Sequence, residues 1–214
     1  MQQRAETPSK QFEKYINTFI DERSDIDELE VVFNDNITRI DFENVIRKLK
    51  SLDFTSNNSN GNYHLNIQNQ FTDARTGVTK VSAIRTTING INEIQSYCNE
   101  NTIDPKRASV TFMQKFIKKH DQTPMRSIRF NDFGFRVNYK EEKILKPHFR
   151  NVIGLLSEWD RSRKVFRLLK RFTFTNANFP VIIDCSIVRS SKRQGNQLKF
   201  ERNIEKSNVF NNRE

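Results

Sequence analysis

Cysteine is almost missing from this chain of 214 residues: Cys98 and Cys185 lie far apart, with no C-x-x-C and no Cys/His ligand spacing. That excludes a disulfide framework and a zinc site, and both thiols are expected to be reduced and buried. Glycine is scarce, at 6 residues. No G-x-G-x-x-G turn, Walker loop or nucleophile elbow occurs, so the familiar nucleotide-binding and acyl-transfer signatures are absent. The three histidines, His64, His120 and His148, are scattered without a carboxylate or cysteine at ligand spacing and receive no role. Long apolar runs are missing too. No stretch approaches the length of a membrane span, and Met1–Pro8 has no apolar leader, so a cytosolic or nuclear setting without a membrane partner is expected. A hydrophobic share of 35% is low but enough for one core.

Acidic residues are sparse in the second half. Residues 1–105 hold 11 Lys+Arg against 16 Asp+Glu, a net of −5, whereas residues 106–214 hold 25 against 10, a net of +15. A basic half of that strength reads as a site for a polyanion, with nucleic acid or nucleotide phosphates ahead of a membrane surface.

Periodicity supplies the elements. Ser9–Glu22 carries Phe12, Tyr15, Ile16, Phe19 and Ile20 at helical spacing, and Thr38–Leu52 repeats the pattern with Phe42, Val45, Ile46, Leu49 and Leu52. A turn cluster, Ser56–Asn62, precedes two alternating segments, Tyr63–Phe71 and Val78–Ile88, read as a hairpin. Asn89–Asn99 reads as a short helix with Ile91, Ile94, Gln95 and Cys98 on its stripe. Trp159 is expected to be a packing anchor at a loop end. The 18 phenylalanines fall mostly on apolar stripes and are read as core, although Phe130, Phe133 and Phe135 beside Arg129 and Arg136 could stack on bases.

The chemistry concentrates in strands with one charged face. In Glu28-Leu29-Glu30-Val31-Val32-Phe33 a period of two turns Glu28, Glu30 and Val32 one way and Leu29, Val31 and Phe33 the other. Two carboxylates crowded on one face ask for basic side chains or a hard divalent cation opposite them; a solvated acidic edge is the plainer reading. Phe135–Lys140, Lys164–Phe174 and Pro180–Ser191 use the same device with basic or polar residues. Such strands imply either a sheet wetted on one side or a closed barrel with a polar lumen and helices outside. Arginine suits forked bonding to phosphate oxygens, and a metal held by carboxylates could bridge the same phosphates.

The succession Glu28-Leu-Glu-Val-Val-Phe, Ile37-Thr-Arg-Ile-Asp-Phe-Glu, Asp132-Phe-Gly-Phe-Arg-Val-Asn-Tyr-Lys, Arg171-Phe-Thr-Phe-Thr and Ile183-Asp-Cys-Ser-Ile-Val-Arg resembles the triphosphate tunnel metalloenzyme domain, an RNA triphosphatase, of mRNA capping enzymes from large nucleocytoplasmic DNA viruses. The resemblance runs from about residue 25 to the end. It implies an α+β fold, an antiparallel tunnel-like β-barrel with helices packed outside, over residues 25–214 behind a helical segment at 1–24. It also implies a metal-dependent RNA 5′-triphosphatase that removes the γ-phosphate of nascent RNA. Glu28 and Glu30 would then be the catalytic residues and metal ligands for Mg²⁺ or Mn²⁺, with Arg85, Arg136, Arg171 and Arg189 as phosphate contacts. The partner would be an RNA 5′ end or a nucleoside triphosphate, beside other capping domains or subunits, in a host-cytoplasm viral factory or a virion. The sequence departs from the family pattern at Val32 and Ile182, where basic residues are usual. The family's second E-x-E strand would fall after Glu214, so the resemblance allows a domain continued beyond that point. The alternative is a non-catalytic relative that binds RNA or nucleotide phosphates or scaffolds a capping complex.

Overall fold

The computed structural model describes residues 7–33, 37–194 and 197–211. Residues 1–6 and 212–214, on which the readings of the N-terminal segment and of a further strand bear, lie outside the described residues. The elements are α1 (Pro8–Glu22), β1 (Asp27–Phe33), α2 (Arg39–Ser51), β2 (Asn62–Thr72), β3 (Thr79–Val81), β4 (Ile84–Asn89) and α3 (Ile91–Glu100). After them come β5 (Val110–Ile117), β6 (Lys119–His120), β7 (Thr123–Pro124), β8 (Ile128–Phe130) and β9 (Phe135–Leu145). The rest are α4 (Arg150–Ser157), β10 (Lys164–Asn176), β11 (Phe179–Ser190), β12 (Arg193–Gln194), β13 (Gln197–Leu198) and α5 (Ile204–Ser207). Two compact units result, one from residues 1–39 and 114–143 and one from residues 40–113 and 144–214.

In the first unit β1 runs antiparallel to β9, from Asp27 opposite Glu141 to Phe33 opposite Phe135. β8 pairs with β9 as well, Ile128 opposite Val137 and Phe130 opposite Phe135. Helix α1 begins with Pro8, whose fixed φ and missing N–H suit a first turn. Its stripe of Phe12, Tyr15 and Phe19 covers Leu29, Met125, Ile128, Val137 and Tyr139. The Tyr15 hydroxyl donates to the Arg126 carbonyl at 2.7 Å. Each large side chain so buried contributes about 1.5–3 kcal/mol, which keeps the helix on this sheet face.

In the second unit β2 lies between β4 and β10, with β11 beyond β10, all antiparallel. Leu65, Ile67 and Phe166 turn to a core shared with Ile94 and Tyr97 of α3, Ile204 of α5 and Trp159. Trp159 is the anchor expected: it is buried, meets Tyr97 edge to face at 6.3 Å and donates from Nε1 to the Asn101 carbonyl. Phe42, Ile46 and Leu49 of α2, with Phe54, cover Phe172, Phe174, Ile183 and Cys185. Cys185 is buried as expected, but Cys98 is only half-buried because α3 meets the core mainly through Ile94 and Tyr97. In both units antiparallel strands bury one face under helices and turn the other away from them, the α+β arrangement expected.

Candidate functional site

The register of the first unit builds its polar face. Residues directly opposite in an antiparallel pair share a face, so Glu28 stands with Lys140, Glu30 with Asn138 and Val32 with Arg136. The expected division of β1 therefore holds, and Leu29 turns to the α1 core. The carboxylates do not stand alone. Lys115 Nζ lies 2.9 Å from Glu28 Oε2 and also meets Glu142 Oε1, while Lys140 Nζ lies 3.9 Å from Glu30 Oε2. Asn138 Nδ2 donates to Glu30 Oε2 at 3.1 Å, and the Ser127 hydroxyl donates to Asn138 Oδ1. The Glu28 and Glu30 side chains remain 35% and 38% exposed, so a solute reaches them. Burial first, then the positive charges of Lys115 and Arg136, hold Lys140 below the usual lysine range against the opposing pull of Glu30 and Glu28. Arg136 Nε is buried without a hydrogen-bond partner among the described residues.

The neighbouring carboxylate belongs to the other face. Asp27, with a side chain 0% exposed, meets Lys118 Nζ at 2.8 Å. Tyr139 donates to Asp27 Oδ2 at 3.4 Å, and the Lys118 ammonium lies 5.8 Å from the Tyr139 ring centre. The bond to Asp27 raises the Lys118 pKa, and burial followed by the Asp27 charge pushes Tyr139 up to about 12.

The remaining expected phosphate contacts lie in the second unit. Arg171 shares the non-helical face of β10 with Arg167 and Thr173, opposite Ser186 and Asp184 of β11. Its Nη1 lies 3.0 Å from Asp184 Oδ2, and Thr173 donates to Asp184 Oδ1 at 2.6 Å. The strand beside it continues this polar face: Asn62 stands opposite Arg171 and Asn66 opposite Arg167. Thr87 donates to Asn66 Oδ1 at 2.8 Å, and His64 Nδ1 lies 2.7 Å from Asn89 Oδ1. Arg85, two positions before Thr87 on β4, turns the same way, and its Nη2 lies 2.9 Å from Met113 Sδ. Arg189 differs. Its register partner is Leu168, which packs on the helix-side core, and its Nη1 donates to the Phe210 carbonyl.

Of the six residues expected from the sequence, Glu28, Glu30 and Arg136 share one face of the first unit, and Arg85 and Arg171 share one face of the second. Lys115 and Glu142 were not foreseen. Their signal was a lone lysine in the apolar run of β5 and a glutamate two positions beyond Lys140. His120, given no role, lies 3.3 Å from both Glu22 and Asp121. Phe130 and Phe135 stack at 4.7 Å beside the α1 core, whereas Phe133 stays largely exposed. As to metal, carboxylate oxygens are the donor type a hard divalent cation takes. No group of three or more His, Cys, Asp or Glu placed to hold an ion occurs among the described residues. Glu28 and Glu30 are the carboxylates of this face that could contribute oxygens to such a site, and each already has a lysine partner.

No protein-family model matches the sequence, and no curated protein matches it. Solved structures do. The RNA triphosphatase domain of a trifunctional mimivirus mRNA capping enzyme is 19% identical, with a TM-score of 0.56, over 87% of this chain and 80% of that one. A triclinic structure of the mimivirus capping enzyme triphosphatase is 18% identical, also at 0.56, over 85% and 78%. At such identity the likeness is one of fold, and the fold is that of these viral triphosphatase domains, as the order of motifs implied.

Proposed function

We propose that this chain is a capping-type RNA 5′-triphosphatase domain that takes the triphosphate end of RNA on its polar strand faces. One observation carries the reading: Glu28 and Glu30 share a solvent-reached strand face with Lys115, Arg136 and Lys140. Arg136 and Lys140 would neutralise phosphate oxygens as charge builds on them. The polar face of the second unit, with Arg85 and Arg171, would take RNA phosphates in its own right. Glu28 and Glu30 would hold Mg²⁺ or Mn²⁺, which when bound supplies Lewis-acid charge beside the phosphate. A carboxylate not so engaged would orient the attacking water. The RNA end is favoured as substrate over a free nucleotide by the fold's likeness to domains named for RNA triphosphatase activity. Other capping domains would be its companions, in a viral factory or virion.

Phosphate release from triphosphate-ended RNA with Mn²⁺ tests this. Glu28→Ala and Glu30→Ala are each expected to lower kcat by about 10²-fold or more, the scale of removing one group that stabilises transition-state charge. Release unaffected by both would exclude the assignment. A second reading, a non-catalytic binder of RNA ends, is favoured by the lysine partners already on Glu28 and Glu30. It predicts salt-sensitive RNA binding with no release.

A further inference from the structure

A hydrogen-bonded chain on the polar face of the second unit ends in an acceptor that no described residue fills. Asn89 of β4 stands opposite His64 of β2. Its backbone N–H and its Nδ2 both donate to the Ser109 carbonyl, at 2.8 and 3.1 Å. Turning the amide over would set its oxygen against that carbonyl, so Oδ1 faces His64 and can only accept. His64 Nδ1, 2.7 Å from Asn89 Oδ1, is therefore the nitrogen that carries the proton, and in the neutral ring Nε2 holds a bare lone pair. The ring is half-buried, and Nε2 makes no hydrogen bond among the described residues and is not sealed from solvent. On its other side His64 faces Leu169 of β10, which has no polar group to offer, while Arg167 and Arg171 stand two positions to either side of Leu169.

We infer that His64 binds a ribose 2′-hydroxyl of RNA, its Nε2 accepting a hydrogen bond from the hydroxyl, and so sets this face's choice of RNA over DNA. That role rests on the reading of the face as a holder of RNA phosphates and adds recognition of the sugar. Phosphate oxygens only accept, so an accepting nitrogen between two arginines has no bond to make with them. A nucleotide within a chain offers two kinds of donor, the ribose hydroxyl and the exocyclic amine of a base. The hydroxyl is the one that lies on the backbone between successive phosphates, and Arg167 and Arg171 are placed to hold phosphates on either side of His64. Asn89 is the positioning residue, because its amide commits the neutral ring to accepting at Nε2.

The test is fluorescence anisotropy of the whole chain with one unstructured, triphosphate-ended sequence made as RNA, as DNA with uracil for thymine, and as 2′-fluoro RNA, which keeps the sugar pucker of RNA and has no hydrogen to donate. RNA is expected to bind about three- to tenfold more tightly than the other two, the worth of one hydrogen bond. His64→Ala and His64→Phe are each expected to remove that preference by weakening RNA alone, with DNA affinity unchanged. Equal binding of RNA and 2′-fluoro RNA, or a preference that survives both variants, would overturn the inference. So would a loss shared by RNA and DNA, the mark of a contact to base or phosphate. If neither variant folds, single 2′-deoxy substitutions along the RNA decide on the unmodified protein: loss at one nucleotide supports the contact, and loss at none overturns it. Phosphate release by the unmodified protein separates this from the functional reading. No release with a preference lost in the variants would sink the function and keep the inference; release with no preference would do the reverse.

Discussion

Lys164 is a charge buried within the second unit. It is 0% exposed, donates to the carbonyls of Trp159 and Ser162, and places its ammonium 5.0 Å from the Trp159 ring centre. Burial lowers its pKa to about 8, Asp160 opposing and Arg202 assisting. The folded chain thus releases this proton earlier than the unfolded chain. Between about pH 8 and the ordinary lysine value of 10.5 the unfolded state holds more protons, so this group's contribution to stability rises with pH across that window and is lost as pH falls through about 8. Stability of the unmodified protein relative to Lys164→Met, measured by urea unfolding at a series of pH values, is expected to grow from pH 8 to 10.5 and to be flat below it. Two arginines invite a second comparison. Arg189 bonds the Phe210 carbonyl, whereas Arg171 meets Asp184 on the polar face. Arg189→Ala should cost about 1 kcal/mol of stability and leave affinity for RNA intact, while Arg171→Ala should weaken RNA binding several-fold. Fluorescence anisotropy beside thermal unfolding reads both.

At the scale of elements, Gly61 sets the entry to β2. Its φ of +73° lies in the left-handed region, and an added Cβ would stand 3.1 Å from the Arg171 carbonyl oxygen and from the Phe172 ring. Gly61→Ala is therefore expected to cost about 2 kcal/mol in urea unfolding, the sum of backbone strain and a close contact that backbone cannot relieve. Helices with a full apolar stripe were legible in the sequence: α1 and α2 fall within a residue or so of Ser9–Glu22 and Thr38–Leu52. The strand read as Val78–Ile88 is instead two, β3 and β4. Ser82 interrupts it, its N–H bonding the Asn69 carbonyl and its hydroxyl accepting the Ile84 N–H. Helix α4 was not foreseen. Arg150–Ser157 is only eight residues, includes Gly154, and buries only Val152 fully, too weak a stripe to stand out. The division of Glu28 from Leu29 was legible because a period of two is written in the chain. That Lys115 reaches Glu28 was not, because strand neighbours are fixed by long-range register and not by local alternation.

For the whole molecule, the fold persists at 19% identity to the mimivirus triphosphatase domain. Alternation and helix stripes can be met by many sequences, so a shared architecture survives where most individual residues differ. No helix among the described residues is long and apolar enough to cross a membrane. The net charge of +10 is weighted to residues 106–214, so RNA should be held largely through phosphates. The logarithm of RNA affinity is expected to fall with the logarithm of salt concentration with a slope of about −2 or steeper, about −0.7 for each of three or more single-strand phosphates. Anisotropy titrations between low and moderate salt measure it, and a flat response would remove the phosphate-binding argument.

The pairing of Asp27 with Lys118 bears on how Glu28 keeps its place. Two adjacent carboxylates point to opposite sides of β1, one sealed under α1 and one open to solutes. A slide of a single position would drag the open one inward and strand the sealed one without its ammonium. The Asp27–Lys118 contact thus pins the strand like a peg in a hole, so that a ligand tugging on Glu28 bends a side chain before it can shift the backbone.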